Sequence, residues 1–157
     1  RYSELARMPE PTIVPCDGPA LLRQVAAVPP AGRVRVAAAE GLNLKGDADQ
    51  LQQALINLVR NGVEAMGGSQ EPVELRALRG RDAVVFEVED TGPGVANPDN
   101  LFVPFFTTKP GGSGIGLVLA RQVAEAHGGS LSLQNRRDRS GCIAQLTVPT
   151  QIGTHPI

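Results

Sequence analysis

Apolar residues recur at helical spacing in the middle of the chain, over residues 48–66. Intervals of three and four residues place such positions on one face of a helix. Asp47 precedes the segment as a capping residue, and Gly67 follows it as a helix stop. The pattern therefore predicts an amphipathic helix over 48–66. Its apolar face consists of Leu51, Leu55, Leu58, Val59, Gly62 and Met66.

Alternation of apolar and polar positions predicts the strands of the fold. The expected strands lie at 33–36, 42–44, 72–79, 83–89, 130–135 and 142–148. Two more helices are expected, one from the capping residue Asp17 to Pro29 and one over 115–127. The chain therefore interleaves helices with strands along its whole length.

Several successive strands are close enough in sequence to form hairpins, such as 72–79 and 83–89 across the turn at 80–82. Strands in a hairpin are antiparallel, whereas a doubly wound parallel sheet needs a crossover between strands. The predicted fold class is therefore α+β, a mixed and mostly antiparallel sheet with helices packed on one face.

Length and composition indicate one globular domain. The chain has 157 residues, of which 41% are hydrophobic, and this suffices for a single core. Three prolines mark residues 1–16 as a linker, and residues 150–157 are expected to form a tail. The folded domain is therefore predicted to span residues 17–149.

Charge and aromatic content exclude some classes of partner. A net charge of -1, an aromatic content of 3% and the lack of Trp argue against nucleic acid. No apolar run approaches the ~20 residues of a membrane-spanning helix, so no direct membrane contact is expected. Cys16 and Cys142 have no metal-ligand spacing, and two reduced thiols suit a cytoplasmic location.

The polar side of the predicted helix 48–66 carries the first candidate chemistry. Asn57, Asn61 and Glu64 lie at i, i+4 and i+7, so they share one narrow strip. Asn is a poor helix former, and two of them on one strip suggest that amide oxygens are needed there. An amide oxygen suits Mg²⁺ that bridges phosphates. A solvated helix face is the alternative that spacing leaves open.

Two glycine-rich segments follow. Residues 90–94 come directly after a predicted strand, where Asp90 can accept a hydrogen bond from an exocyclic amine, or simply form an Asx-turn. Residues 109–117 lead into a helix, whose N-terminus favours an anion, or they form a flexible loop with Ser113 as cap. The second segment lacks the Gly-Lys pair of a P-loop and the spacing of the dinucleotide fingerprint.

Taken in order, these motifs resemble those of the GHKL superfamily of ATP-binding domains, and within it the sensor histidine kinases. The family has the Bergerat fold, an α/β sandwich, and the resemblance runs from about residue 17 to residue 149. The segments that resemble its N, G1, F and G2 boxes are 57–65, 90–94, 102–109 and 112–117. The run at 105–109 resembles the nitrogen-regulation class of sensor kinases.

The resemblance implies ATP and Mg²⁺ as ligands. Asn61 would coordinate the Mg²⁺, Asn57 would lie beside it, and Lys109 would be a third catalytic residue. Asp90 would accept a hydrogen bond from adenine N6, and residues 95–113 would form a mobile lid. Further ATP contacts are implied at Glu64, Gly92, Gly94, Phe105, Thr107, Thr108, Gly112, Ser113, Gly114, Ile115, Gly116, Leu117 and Thr147.

Two positions depart from the family pattern. Many members carry Lys or Arg three residues after the metal-binding Asn, where this chain has Glu64. The ATP-hydrolysing relatives of the gyrase, Hsp90 and mismatch-repair types carry an acidic residue where this chain has Asn57. The second departure argues against a dedicated ATPase.

The resemblance implies a kinase domain that transfers the γ-phosphate of ATP to a histidine on a separate dimerisation and phosphotransfer domain. Relay to the receiver domain of a response regulator would follow. Neither His127 nor His155 suits that acceptor, and His127 is interpreted as an imidazolium at a helix C-terminus. The alternatives are a GHKL Ser/Thr kinase of the anti-sigma type and a degenerate nucleotide-binding module that only regulates a partner.

Overall fold

The computed structural model describes residues 9–28, 32–37, 42–94 and 115–150. These residues form strands and three helices. The strands are β1 Val14–Asp17, β2 Val34–Ala37, β3 Asn43–Gly46, β4 Val73–Arg79, β5 Ala83–Glu89, β6 Ser130–Asn135 and β7 Cys142–Pro149. The helices are α1 Gly18–Ala26, α2 Ala48–Met66 and α3 Ile115–Ala126.

The main sheet has five strands in the order β2-β4-β5-β7-β6. β2 is parallel to β4, and every other neighbouring pair in this sheet is antiparallel. Two hairpins, β4–β5 and β6–β7, account for most of it, and they join side by side where β5 pairs with β7. The predicted mixed and mostly antiparallel sheet is therefore confirmed.

The two faces of the sheet differ sharply in polarity. On β7 the buried positions alternate, and they are Cys142, Ala144, Leu146 and Val148. The centre of this buried face is the register pair Phe86 and Leu146, both fully buried, and full burial of such a side chain contributes roughly 1.5–3 kcal/mol. This face packs against the helices, so the prediction of helices on one face is also confirmed.

The opposite face is covered by ion pairs. Arg76 on β4 lies 3.0 Å from Glu74, 2.8 Å from Glu87 and 3.2 Å from Glu89. Gln145 on β7 donates a further hydrogen bond to Glu87 at 2.6 Å. These side chains on the opposite face therefore satisfy one another's polar groups, and no helix among the described residues covers them.

The central helix α2 has the bounds that the apolar spacing predicts. Asp47 caps it, because its Oδ1 accepts a hydrogen bond from the Gln50 N–H at 3.2 Å. Gly67 ends it with a φ of 59°, a conformation that favours glycine. Among the described residues, no helix is long and apolar enough to cross a membrane.

The predicted linker 1–16 is wrong at residues 14–16, because β1 begins at Val14 and pairs antiparallel with β3. Cys16 is buried in this small sheet, and its thiol donates to the Gly46 carbonyl at 3.2 Å. Pro15 is compatible with a strand at the edge of a sheet. The pairing partner lies about thirty residues away, so local composition does not reveal it.

Candidate active site

The last turns of α2 lie directly against the loop that follows β5. A Cβ added at Gly62 would lie 3.6 Å from the Asp90 Cβ, and one at Gly92 would lie 2.5 Å from the Ala65 carbonyl oxygen. A side chain at Gly92 would therefore push the loop away from the helix. This close approach of the two backbones requires glycine at position 92, and it places Asp90 beside the last turns of α2.

Asp90 is a buried acidic residue at this junction, with hydrogen bonds that fix its carboxylate. It is 5% exposed, and its Oδ1 accepts hydrogen bonds from Gly92 N–H at 2.9 Å and Cys142 N–H at 3.2 Å. Burial raises the pKa of the Asp90 carboxyl above its ordinary value, and these two hydrogen bonds oppose the rise. The Asx-turn that the sequence leaves open is thus present. Since both bonds end on Oδ1, Oδ2 is the oxygen that they do not use.

Cys142 is a site residue that sequence reasoning missed. Its backbone makes two hydrogen bonds to Asp90. The Cys142 carbonyl accepts from the Asp90 N–H at 3.0 Å, and the Cys142 N–H donates to the Asp90 carboxylate. Burial, and then the nearby Asp90 charge, raise the pKa of the Cys142 thiol to about 11. Only the register between β5 and β7 reveals this neighbour, and a sequence pattern does not contain that register.

The turn between β6 and β7 also makes hydrogen bonds to the loop that follows β5. Arg136 donates from Nη1 to the Asp90 carbonyl at 3.3 Å and lies 3.2 Å from Glu89. Ser140 donates its hydroxyl hydrogen to the Gly92 carbonyl. Gly141 has a φ of 139°, and a Cβ there would lie 2.1 Å from the Asp90 carbonyl oxygen. The hairpin therefore helps to set the position of Asp90.

The prediction that Thr147 lies near the same pocket is wrong. Thr147 pairs with Val85 and Ser130, five residues beyond Cys142 on β7. At ~3.3 Å per residue, this separation is roughly 17 Å along the strand. Thr147 also alternates with the buried Leu146 and Val148, so it lies on the sheet face away from the helices.

The strip on α2 meets the start of α3. Asn57 donates from Nδ2 to the Gly116 carbonyl at 3.5 Å, and a Cβ at Gly116 would lie 3.8 Å from the Asn57 Cβ. Asn61 is half-buried one turn further along α2, and Glu64 is exposed after it. From Asn57 beside α3 to Gly62 beside Asp90, the helix rises ~7.5 Å. The predicted site residues of α2 are thus brought between α3 and the Asp90 loop.

The glycine-rich residues before α3 are only partly described. Ile115 begins the helix, and Gly116 and Leu117 lie in its first turn. Leu117 is buried in the core, so a ligand contact there would use its backbone. Seven predicted site residues lie outside the described part of the chain: Phe105, Thr107, Thr108, Lys109, Gly112, Ser113 and Gly114.

The amide oxygens on α2 fit a metal ion that takes most of its ligands from a bound substrate and from water. In the described ranges, no group of three or more His, Cys, Asp or Glu side chains could hold a metal ion. Asn57 and Asn61 supply amide oxygens, and Mg²⁺ commonly combines few protein ligands with phosphates and water. The arrangement therefore fits Mg²⁺ brought with a phosphate-bearing ligand better than a metal held by protein alone.

His127 is fully buried, and the interpretation of it as an imidazolium is wrong. Its Nε2 accepts the Asp47 N–H at 3.0 Å, and its Nδ1 lies 2.8 Å from the Val123 carbonyl oxygen. An acceptor nitrogen carries no proton, whereas a nitrogen facing a carbonyl must donate one. The ring is therefore a neutral imidazole protonated on Nδ1.

The chain belongs to the family of histidine kinase-, DNA gyrase B- and HSP90-like ATPases, whose family model matches residues 46–152. Within this family, its relatives and structural neighbours identify it as a catalytic domain of the sensor histidine kinase type. The family model thus gives the class of ATP-binding domain, and the relatives give the type of kinase within it.

Three curated relatives illustrate the similarity. Sensor protein FixL of Bradyrhizobium diazoefficiens is 41% identical over 107 residues, which cover 66% of this chain and 21% of that protein. Sensor protein TdiS of Thauera aromatica is 44% identical, over 64% of this chain and 19% of that protein. Sensory histidine kinase/phosphatase NtrB of Klebsiella oxytoca is 36% identical, over 56% and 29%. The chain therefore spans only 19% to 29% of the length of these relatives.

Solved structures agree with this assignment. The catalytic domain of the histidine kinase ThkA superposes with a TM-score of 0.77 at 26% identity, covering 88% of this chain and 96% of that one. Full-length ShkA in complex with AMPPNP superposes with a TM-score of 0.78 at 27% identity, covering 99% of this chain and 35% of that one. This chain thus corresponds to about a third of the ShkA chain.

Proposed function

We propose that this domain binds ATP with Mg²⁺ and transfers the γ-phosphoryl group to a histidine on a separate dimerisation and phosphotransfer domain of its parent protein. The receiver domain of a response regulator would then take the phosphoryl group. The observation that supports this most is Asp90, held through Oδ1 beside the helix that carries Asn57 and Asn61.

The Asp90 end of the site suits the adenine base. A carboxylate oxygen accepts the amino hydrogens of adenine N6, and Oδ2 is oriented by the two hydrogen bonds on Oδ1. Gly92 and Gly94 would shape the loop around the base, since Gly92 lies against the Ala65 carbonyl and Gly94 has a φ of 87°. The complex of the similar kinase ShkA with AMPPNP supports an adenine nucleotide as ligand.

The α3 end of the site suits phosphates. The first turn of a helix presents unpaired N–H groups, and the helix dipole favours an anion there. Gly116 in that turn lies against Asn57. Asn61 would hold Mg²⁺, which would neutralise charge on the phosphoryl group during transfer. Backbone groups of Gly116 and Leu117, with Lys109 and the predicted lid, would position the same group.

In this proposal the acceptor histidine belongs to another domain, and the buried state of His127 supports that. His127 is fully buried, and both of its ring nitrogens have hydrogen-bond partners, so it cannot attack a phosphoryl group. His155 lies outside the described residues. The similarity to NtrB and the run at 105–109 favour a parent protein of the nitrogen-regulation class.

The test uses the full-length parent protein, γ-labelled ATP and an Asn61→Ala variant. We expect the wild type to form an acid-labile, alkali-stable phosphohistidine, and the variant to form it about 100-fold more slowly. Gln53→Ala is the matched control, since it removes an exposed amide one turn before Asn57. ATP binding without any phosphohistidine would contradict the kinase proposal and favour a module that only binds nucleotide.

A further inference from the structure

The buried imidazole of His127 connects the two helices that form the candidate site. Through Nδ1 it is bound to Val123 of α3, and through Nε2 it accepts the N–H of Asp47, the capping residue of α2. α2 carries Asn57 and Asn61, and α3 begins next to them at Gly116. The end of α3 is thus fastened to the start of α2, at the far end of both helices from the phosphate region.

Asp47 adds a third element to this junction. Its Oδ1 accepts Gln50 N–H at 3.2 Å, and its Oδ2 accepts the backbone N–H of Thr12 at 2.9 Å. Gln50 donates in turn to the Pro9 carbonyl at 2.9 Å. The incoming segment 9–12, which precedes β1, is therefore bound to the same helix start as His127.

The junction is also tightly packed. A Cβ added at Gly46 would lie 2.8 Å from the Leu51 Cδ1 and 3.2 Å from the His127 Cδ2. The Cys16 thiol of β1 donates a hydrogen bond to the Gly46 carbonyl at 3.2 Å. There is little space for α2 to shift here while its hydrogen bonds stay intact. A displacement of the incoming segment would therefore be passed to the helices rather than absorbed locally.

We propose that Asp47 and His127 are positioning residues that link the incoming segment 9–12 to the spacing of the two nucleotide-site helices. A pull on this segment acts on Asp47 through Thr12, and Asp47 acts on α3 through His127. Nucleotide affinity then depends on how the segment before the domain is placed. This inference rests on the proposed nucleotide site, so one of its readouts does not use nucleotide.

The first test compares Asp47→Ser with Asp17→Ser. Serine keeps one capping oxygen in both variants, and Asp17 caps α1 through Ala20 N–H at 3.1 Å. Asp47→Ser lacks the second oxygen that binds Thr12, whereas Asp17 has no such role. We expect Asp47→Ser to bind Mg-ATP roughly 5- to 10-fold more weakly, and Asp17→Ser to bind like the wild type.

Hydrogen exchange of the ligand-free chain gives the second readout. We expect faster exchange at 57–61 and at the start of α3 in Asp47→Ser, and no change there in Asp17→Ser. A His127→Gln variant, whose amide oxygen can accept the Asp47 N–H, should retain more of the wild-type affinity than His127→Leu. If His127→Leu does not fold, the comparison of the two serine variants still decides.

The outcomes separate the two proposals. If the wild type binds no nucleotide, the proposed nucleotide function fails. The hydrogen-exchange comparison of Asp47→Ser with Asp17→Ser then tests by itself whether the junction affects α2 and α3. If the wild type binds Mg-ATP and Asp47→Ser matches it in affinity and in exchange, the junction only stabilises the fold and this inference is overturned. Equal losses in both serine variants would overturn it too, since they would reflect a lost carboxylate at any helix start.

Discussion

At the scale of single residues, the site depends on a carboxylate held where its charge is unfavourable. Asp90 is buried at the end of β5, and burial raises its pKa in spite of two backbone hydrogen bonds. A structural role alone would be met as well by asparagine, because one amide oxygen can accept both N–H groups. An aspartate at this position therefore indicates that the second oxygen serves a ligand.

The Asp90→Asn variant tests that interpretation. Because the pKa is raised in the folded state, stability falls as the pH rises from the ordinary value of 3.8 through the folded pKa, and the full penalty applies above the folded pKa. Asparagine removes this penalty and keeps the two hydrogen bonds, so we expect an equal or higher free energy of unfolding at pH 7.5, measured with urea. The advantage should shrink as pH falls through the folded pKa and vanish below the ordinary value of 3.8.

The exposed Asp82→Asn serves as control and should not change stability measurably. A large loss of stability in Asp90→Asn would show that its charge supports the fold itself. In that case Asp90 could not be explained as a residue reserved for a ligand.

At the scale of elements, the pocket is assembled by hairpins that bring distant residues together. The β6–β7 turn fixes Asp90 through Arg136, and Gly141 leaves space for the Asp90 carbonyl. Local patterns predicted the bounds of α2 because its apolar spacing and its cap lie within the helix. Local patterns could not place Cys142 beside Asp90, and they could not show that Thr147 lies far from Asp90, because both positions depend on strand register.

Gly141→Ala tests the contact between the hairpin and the Asp90 loop. Its φ of 139° and the 2.1 Å approach to the Asp90 carbonyl oxygen both disfavour a side chain. Gly32→Ala is the matched control, since Gly32 has a φ of 82° but nothing within 4 Å of an added Cβ. We expect Gly32→Ala to cost about 1 kcal/mol of unfolding free energy through strain alone.

Gly141→Ala should cost more than that and should also weaken ATP binding, because Asp90 must move. Equal effects of the two substitutions on stability, with nucleotide binding unchanged in both, would mean that the hairpin does not position Asp90. Chemical denaturation and a binding titration on each variant measure the two quantities.

At the scale of the whole molecule, one face of the sheet carries the helices and the other carries ion pairs. The candidate site lies at one edge of the helix layer, between α2, α3 and the loop after β5. Of the predicted family motifs, the N box lies in the second half of α2, the G1 box follows β5, and the G2 box reaches the start of α3. The pairing of β1 with β3, and hence the contact of the incoming segment with α2, was not predictable from local composition.

The most direct measurement is a calorimetric titration of the domain with ATP and with GTP, each with and without Mg²⁺. An amino group at adenine N6 donates to the Asp90 carboxylate, whereas guanine presents a carbonyl oxygen there, which an acceptor repels. We expect saturable binding of ATP at one site, stronger with Mg²⁺, and at least tenfold weaker binding of GTP. Equal affinity for the two nucleotides, or no binding of ATP, would contradict the assignment of Asp90 to an adenine site.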